Sequence, residues 1–189
     1  MFNERKVAQM ATFFLRKESN ARMSHLKLMK LLYLSDREAI KSFGMPISGD
    51  LYVSMPHGPV LSKTLNLMDG DIESQDGGWE SWISDKENHE VAVRSSVAHR
   101  ELDELSRAEL EVLEIVWGNF GGMDKWTIRD WTHINCPEWH DPNGSSYSLE
   151  FDDIVKALEK SKKFDKETAA QIIVSHKSAQ DIDNLFASI

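Results

Sequence analysis

At 189 residues and 41% hydrophobic content, the chain fits one compact domain, and a chain of this size buries roughly 70% of its unfolded surface without help from a disulfide or a metal. Its 22 basic and 31 acidic residues give a net charge of -9, which repels a phosphate backbone, so direct nucleic-acid binding is not expected and a basic protein partner suits it better. With one cysteine, Cys136, no apolar run of the roughly 20 residues a membrane span needs, and an N-terminal stretch that lacks the continuous apolar core and small-residue cleavage site of a signal peptide, the sequence predicts a cytoplasmic protein.

Val7, Met10, Ala11, Phe14 and Leu15 recur at helical spacing and predict a first helix starting near Asn3, its cap. Ser24 opens a second helix through Phe43, apolar almost all round from Leu26 to Leu34, which marks it as the central one. Gly44 suits its left-handed end and Pro46 prevents continuation. Asp50 to Met55 then reads as a strand. Gly58-Pro59 reads as the start of a third helix, because proline is tolerated at a first helical position.

The stretch Lys27-Leu-x-Lys-Leu-Leu-Tyr-x-x-Asp36, followed by a linker, a strand and the turn Gly58-Pro59-Val60, resembles the Panacea domain of SocA-like antitoxins of bacterial and phage toxin-antitoxin systems. His57 stands where the family often has an aromatic before that turn.

Asp69, Asp71, Glu73 and Glu80 fall at the first, third, fifth and twelfth positions of a calcium loop, but Ser74 occupies the position that wants glycine, so the segment reads as a solvated acidic loop. Trp79 to Ser84 and Glu90 to Val97 read as an antiparallel hairpin, with Trp79 and Trp82 on opposite faces and one of them free for contact. Ser106 and Glu109 form a capping box for a helix carrying Leu110, Leu113, Val116, Trp117 and Phe120, which Gly121-Gly122 ends. Asp124 caps a short helix through Trp126, Ile128 and Trp131 to His133. Thr132, His133 and Trp139 match the second half of the same family, so the resemblance spans roughly residues 24 to 140.

His133, Cys136 and His140, with Asp141 beside them, have metal-like spacing, yet a structural zinc site normally wants more thiolates than one, and no metal or other cofactor is expected. Phe151, Ile154, Val155 and Leu158 mark the next helix. Asp165 caps the last, whose apolar spacing runs from Ala169 to Ile189 and docks either on the protein's own core or in a partner's groove.

No phosphate loop and no nucleophile with an identifiable base is present, so no catalytic residue is assigned; Asp36 and His57 are the only candidate proton-transfer pair. The expected fold is a single, mostly helical α+β domain of about six to seven helices around the 24–43 helix, with one small antiparallel sheet from residues 50–55 and 79–97. The resemblance implies an antitoxin that binds a cognate protein toxin, usually encoded beside it, with no direct nucleic-acid or membrane contact and with homo-oligomerisation open. Expected toxin contacts are Tyr52, His57, Trp79, Trp82, Trp131, His133 and Trp139, aromatic or amphipathic groups of the kind that anchor interfaces. The alternatives are a phage-associated interaction module without a toxin and a metal-dependent enzyme.

Overall fold

The structure, a computed structural model, describes residues 1–187. Ile189, the end of the apolar spacing noted above, lies outside the described residues.

The elements run α1 (Glu4–Lys17), β1 (Arg22–Ser24), α2 (His25–Phe43), β2 (Tyr52–Met55), β3 (Gly58–Leu61), α3 (Ser62–Asp69), α4 (Trp79–Trp82), β4 (Glu90–Ala92), a 3-10 turn (Ser95–Val97), α5 (Arg107–Phe120), α6 (Lys125–Asn135), β5 (Tyr147–Leu149), α7 (Phe151–Lys160) and α8 (Lys166–Ala187). The fold is α+β and mostly helical, with small antiparallel sheets. Helix α2 is its centre. Leu28, Met29, Leu31, Leu32 and Tyr33 are at most 1% exposed, and α1, α5, α6, α7 and β3 all pack on this helix.

The long helices start and stop where local chemistry directs. Asn3 accepts from Lys6 N at 3.0 Å to cap α1, and Gly44, at φ +78°, ends α2 with its N–H on Ile40 O. The Ser106–Glu109 capping box is formed, and Asp124 accepts from Trp126 N and Thr127 N at 2.8 and 2.9 Å.

Three local expectations are corrected. Gly58-Pro59 starts no helix: Gly58–Leu61 is a strand antiparallel to β2 across the two-residue connection Pro56-His57, and α3 begins at Ser62. Proline is tolerated here because β3 is an edge of the sheet, whose order is β3-β2-β5. The N-terminus of α3 is capped from a distance by Asp50, which accepts from Lys63 N, Thr64 N and Thr64 Oγ1 at 3.0, 2.9 and 2.7 Å.

Trp79–Trp82 is a single helical turn, not a strand. Trp79 N donates to buried Glu4 Oε1 at 2.7 Å, so its hydrogen bond goes to a side chain of α1 instead of a neighbouring strand. Glu4 also accepts from Gln75 N and Ser74 Oγ, and so organises the acidic loop. Both Trp79 and Trp82 are buried, at 2% and 0% exposed, so neither faces out.

The predicted hairpin reduces to two isolated bridges, Ile83 with Val93 and Glu87 with Glu90, while β4 pairs with β1 in the register Met23↔Val91. Residues 50–55 and 79–97 therefore do not share a sheet. The first sheet is β1-β4 and the second is β3-β2-β5.

Helix α8 packs through Ala169, Ile172 and Ile173, and His176 stacks on Phe151 at 3.8 Å. Beyond that contact Ile182, Leu185 and Phe186 are exposed.

Candidate functional site

Four polar residues on α2 recur every third position: Lys27, Lys30, Tyr33 and Asp36. Each reaches a different distant segment. Lys27 Nζ donates to Gly121 O at 2.7 Å and to Glu18 at 2.8 Å, tying α2 to the break between α5 and α6. Lys30, fully buried, donates to Pro59 O at 2.8 Å and so fixes the start of β3. Tyr33 donates to Glu138 Oε1 at 2.6 Å, which also accepts from Arg37 Nε at 2.7 Å. Asp36 accepts from Ile47 N and Ser48 N at 2.9 Å each, from Ser48 Oγ, and from Tyr52 Oη at 3.1 Å.

Burial governs the electrostatics of this row. It pushes the Lys30 amine down to about 7, with the Arg129 charge adding to the effect. The Cys136 thiol is pushed up to about 12 by burial, and so stays uncharged near neutral pH. The Asp36 carboxyl is pushed up to about 6 by burial, against hydrogen bonds from Ser48, Ile47 and Tyr52 that favour the anion. Burial likewise raises the phenols of Tyr33 and Tyr52 well above their ordinary range.

Gly58 explains the turn beside Lys30. It adopts φ +94°, and a Cβ there would stand 2.8 Å from Thr132 Oγ1 and 3.0 Å from Lys30 Nζ. The turn is thus pressed against α2 and α6, which leaves His57 at its tip, exposed, with its ring edge-on to Trp126 at 6.2 Å.

This arrangement separates the expected site residues into two groups. Tyr52, Trp79 and Trp82 are buried in the frame, at 6%, 2% and 0% exposed. His57 is exposed, and Trp131, His133 and Trp139 are half-buried along or just beyond α6. His133 and Trp139 stack in parallel at 3.9 Å, Trp139 Nε1 donates to Met55 O at 2.9 Å, and Trp131 meets Phe120 at 4.6 Å. Burial, then the charges of Lys30 and Arg129, hold the His133 imidazole below its usual range, and its Nε2 is buried without a partner.

The α6 face, the β2–β3 turn and the segment after α6 therefore form one continuous aromatic surface. Asp36 is enclosed under Ser48 and Tyr52 while His57 faces Trp126 outside, so these two do not form a proton-transfer pair. Among the described residues no group of three or more His, Cys, Asp and Glu is arranged to hold a metal; His133 is stacked and Cys136 is buried as a thiol.

The family sequence model described as Antitoxin SocA-like, Panacea domain, matches residues 28–140 of this chain. The chain belongs to the SocA-like antitoxin, Panacea-domain family. Comparisons with curated proteins and with solved structures found no match. The matched Panacea region takes in Lys30, Tyr33, Asp36, the 58–60 turn, Thr132 and Glu138, so three of the four residues of the row and their partners lie inside the family domain, while Lys27 and Glu18 lie just before it and α7 and α8 after it.

Two residues of this Panacea surface and frame escaped sequence reasoning. Trp126, read only as part of the helix that Asp124 caps, is 48% exposed, with Arg129 and Lys125 over its ring at 4.8 and 5.2 Å. Glu138, which anchors Tyr33 and Arg37, gave no signal beyond lying between Pro137 and Trp139.

Proposed function

We propose that the protein is the antitoxin of a toxin-antitoxin pair, neutralising by direct binding a protein toxin encoded by the adjacent gene. Membership of the SocA-like antitoxin family over residues 28–140 carries this reading. It works by binding, not by turnover: the buried polar groups are engaged in holding segments together, and the one thiol is uncharged. A reducing cytoplasm suits a chain with one cysteine. Among the described residues no helix is long and apolar enough to cross a membrane.

The contact surface proposed for the toxin is the α6 face with the adjoining turn. It combines His57, Trp126, Trp131, His133 and Trp139 with Ile134, which is 79% exposed. A half-exposed tryptophan flanked by cations suits an interface centre, since it offers apolar area and polar edges together. Tyr52, Trp79 and Trp82 serve this surface as frame.

Co-expression tests both levels of the reading. The neighbouring gene product alone should arrest growth, and this protein should relieve the arrest. Trp126→Ala and Ile134→Asp should fold with unchanged circular dichroism and lose that protection. A neighbour that is harmless alone removes the antitoxin reading, whereas full protection by both folded variants moves the contact surface elsewhere.

A further inference from the structure

A cleft of about 370 Å³ opens between β5, α7 and the segment 137–140, which it shares with the aromatic surface. Its size lies within the range of small-molecule sites. Two polar side chains in its lining have an atom without a hydrogen-bond partner among the described residues. Glu138 uses Oε1 for both Tyr33 and Arg37, leaving Oε2 buried with no partner. Ser54 is 2% exposed, and its hydroxyl makes no hydrogen bond among the described residues. Glu138 Oε2 is an acceptor that burial leaves in need of a donor, and the Ser54 hydroxyl beside it can accept or donate.

The mouth has the opposite need. Lys156 and Lys160, one turn apart on α7, line it without an ion-pair partner among the described residues. Asp153 beside them is engaged in capping α7, accepting from Glu150 N at 3.3 Å. Between floor and mouth, Leu149 and the half-exposed ring of Tyr147 supply an apolar wall.

We propose that this cleft binds a small ligand with an N–H donor head and an anionic tail, the head on Glu138 Oε2 and Ser54 Oγ and the tail on Lys156 and Lys160. A simple cation would meet the two ammonium groups on entry, and a simple anion would leave the floor unsatisfied and face its carboxylate. Only a molecule with both poles answers both ends. Two sources share this chemistry: an α-amino acid, with ammonium and carboxylate, and a nucleoside monophosphate, with a base amine and a phosphate. The proposal goes beyond the antitoxin reading and stands or falls without it.

The full chain is titrated separately with the common amino acids and with the four nucleoside monophosphates, and binding is followed by calorimetry and amide NMR shifts. One arm should saturate and shift Ser54, Tyr147 and Lys156. The double variant Lys156→Ala/Lys160→Ala, altered only on the surface, should lower that affinity by at least about tenfold with an unchanged unfolding midpoint. Ser54→Ala should lower it as well. Failure of both arms to saturate overturns the proposal. So does saturation that neither variant weakens, or a crystal structure at saturating ligand that shows only an ordered water on Glu138 Oε2.

Discussion

Replacing Lys30 by methionine should make the protein more stable at neutral pH and less stable in alkali. Burial lowers the folded-state amine from 10.5 to about 7, so between these values the unfolded chain binds a proton that the folded one does not. Stability therefore rises with pH through that window, by about 1.4 kcal/mol for each pH unit and about 5 kcal/mol in all. Below pH 7 the folded protein takes up the proton too, and the cost is complete and constant. Above 10.5 there is none. The Cys136 thiol, uncharged throughout most of this window, lends the ammonium no support.

Methionine nearly conserves the volume, has no charge to desolvate, and leaves only Pro59 O without its donor, at about 1 to 3 kcal/mol. At pH 7 the desolvation cost of the wild type exceeds that loss, and the variant is the more stable by roughly 2 kcal/mol or more. Near pH 10 most of the desolvation cost has gone and the order reverses. Urea unfolding of both proteins at pH 7, 8.5 and 10 measures the difference directly, because exposed lysines contribute equally to both. A difference that stays constant across these three pH values would falsify the assignment of Lys30 as a buried amine with a lowered pKa.

Gly58→Ala should lose roughly 1 to 3 kcal/mol from its φ of +94° alone, and more because the new Cβ meets Thr132 and Lys30; a thermal midpoint within a degree of wild type would sink the close-packing account of the turn. Glu138→Ala strands the buried Arg37 guanidinium and should cost about 3 to 5 kcal/mol, while Glu138→Gln, which keeps an acceptor for Tyr33, should cost clearly less; equal losses in chemical denaturation would show that the acceptor is unimportant. Glu4→Ala removes the acceptor of Gln75 N and Trp79 N at roughly 1 to 3 kcal/mol, so their amide exchange should accelerate while that of α5 stays unchanged, and unaltered exchange at Trp79 refutes the anchoring role.

The helices were legible because their signals are local. Apolar spacing and a capping side chain place α1, α5 and α6 with no reference to the rest of the chain, and α2 is placed by its apolar run and the Gly44 stop alone, since Ser24 makes no capping hydrogen bond. The short elements carry no such signal. Trp79-Glu80-Ser81-Trp82 has strand-forming residues, but its backbone is claimed by Glu4, 75 residues away. Arg22–Ser24 becomes a strand only because β4 lies beside it. Gly58-Pro59 satisfies the rules for a helix start and for an edge strand equally, and Lys30 holding Pro59 O belongs to the second alternative. At the site, an aromatic residue type suits core and interface alike. Burial alone divides Trp79 and Trp82 from Trp126, and burial depends on contacts that no spacing encodes.

The three-residue spacing of Lys27, Lys30, Tyr33 and Asp36 is where sequence and site join. Each step of three advances a helix by about 300°, so successive rungs fall back by about 60° and the four together sweep half the circumference. They can therefore hold segments lying on different sides of α2, as Gly121, Pro59, Glu138 and Ser48 do. Two of these rungs place the aromatic surface. Lys30 holds the turn that carries His57, and Tyr33 holds Glu138, the neighbour of Trp139, whose indole closes back on Met55 of the same hairpin. Apolar packing would bury α2 in many registers, but a buried donor or acceptor tolerates only the register that satisfies it. On the antitoxin function proposed above, substitutions on the row should impair neutralisation through displacement of the turn and of Trp139, whereas Trp126→Ala should impair it with the frame intact. Lys30→Met separates these effects: it leaves the fold stable at neutral pH but releases Pro59 O, so any lost protection traces to the position of His57 and its turn.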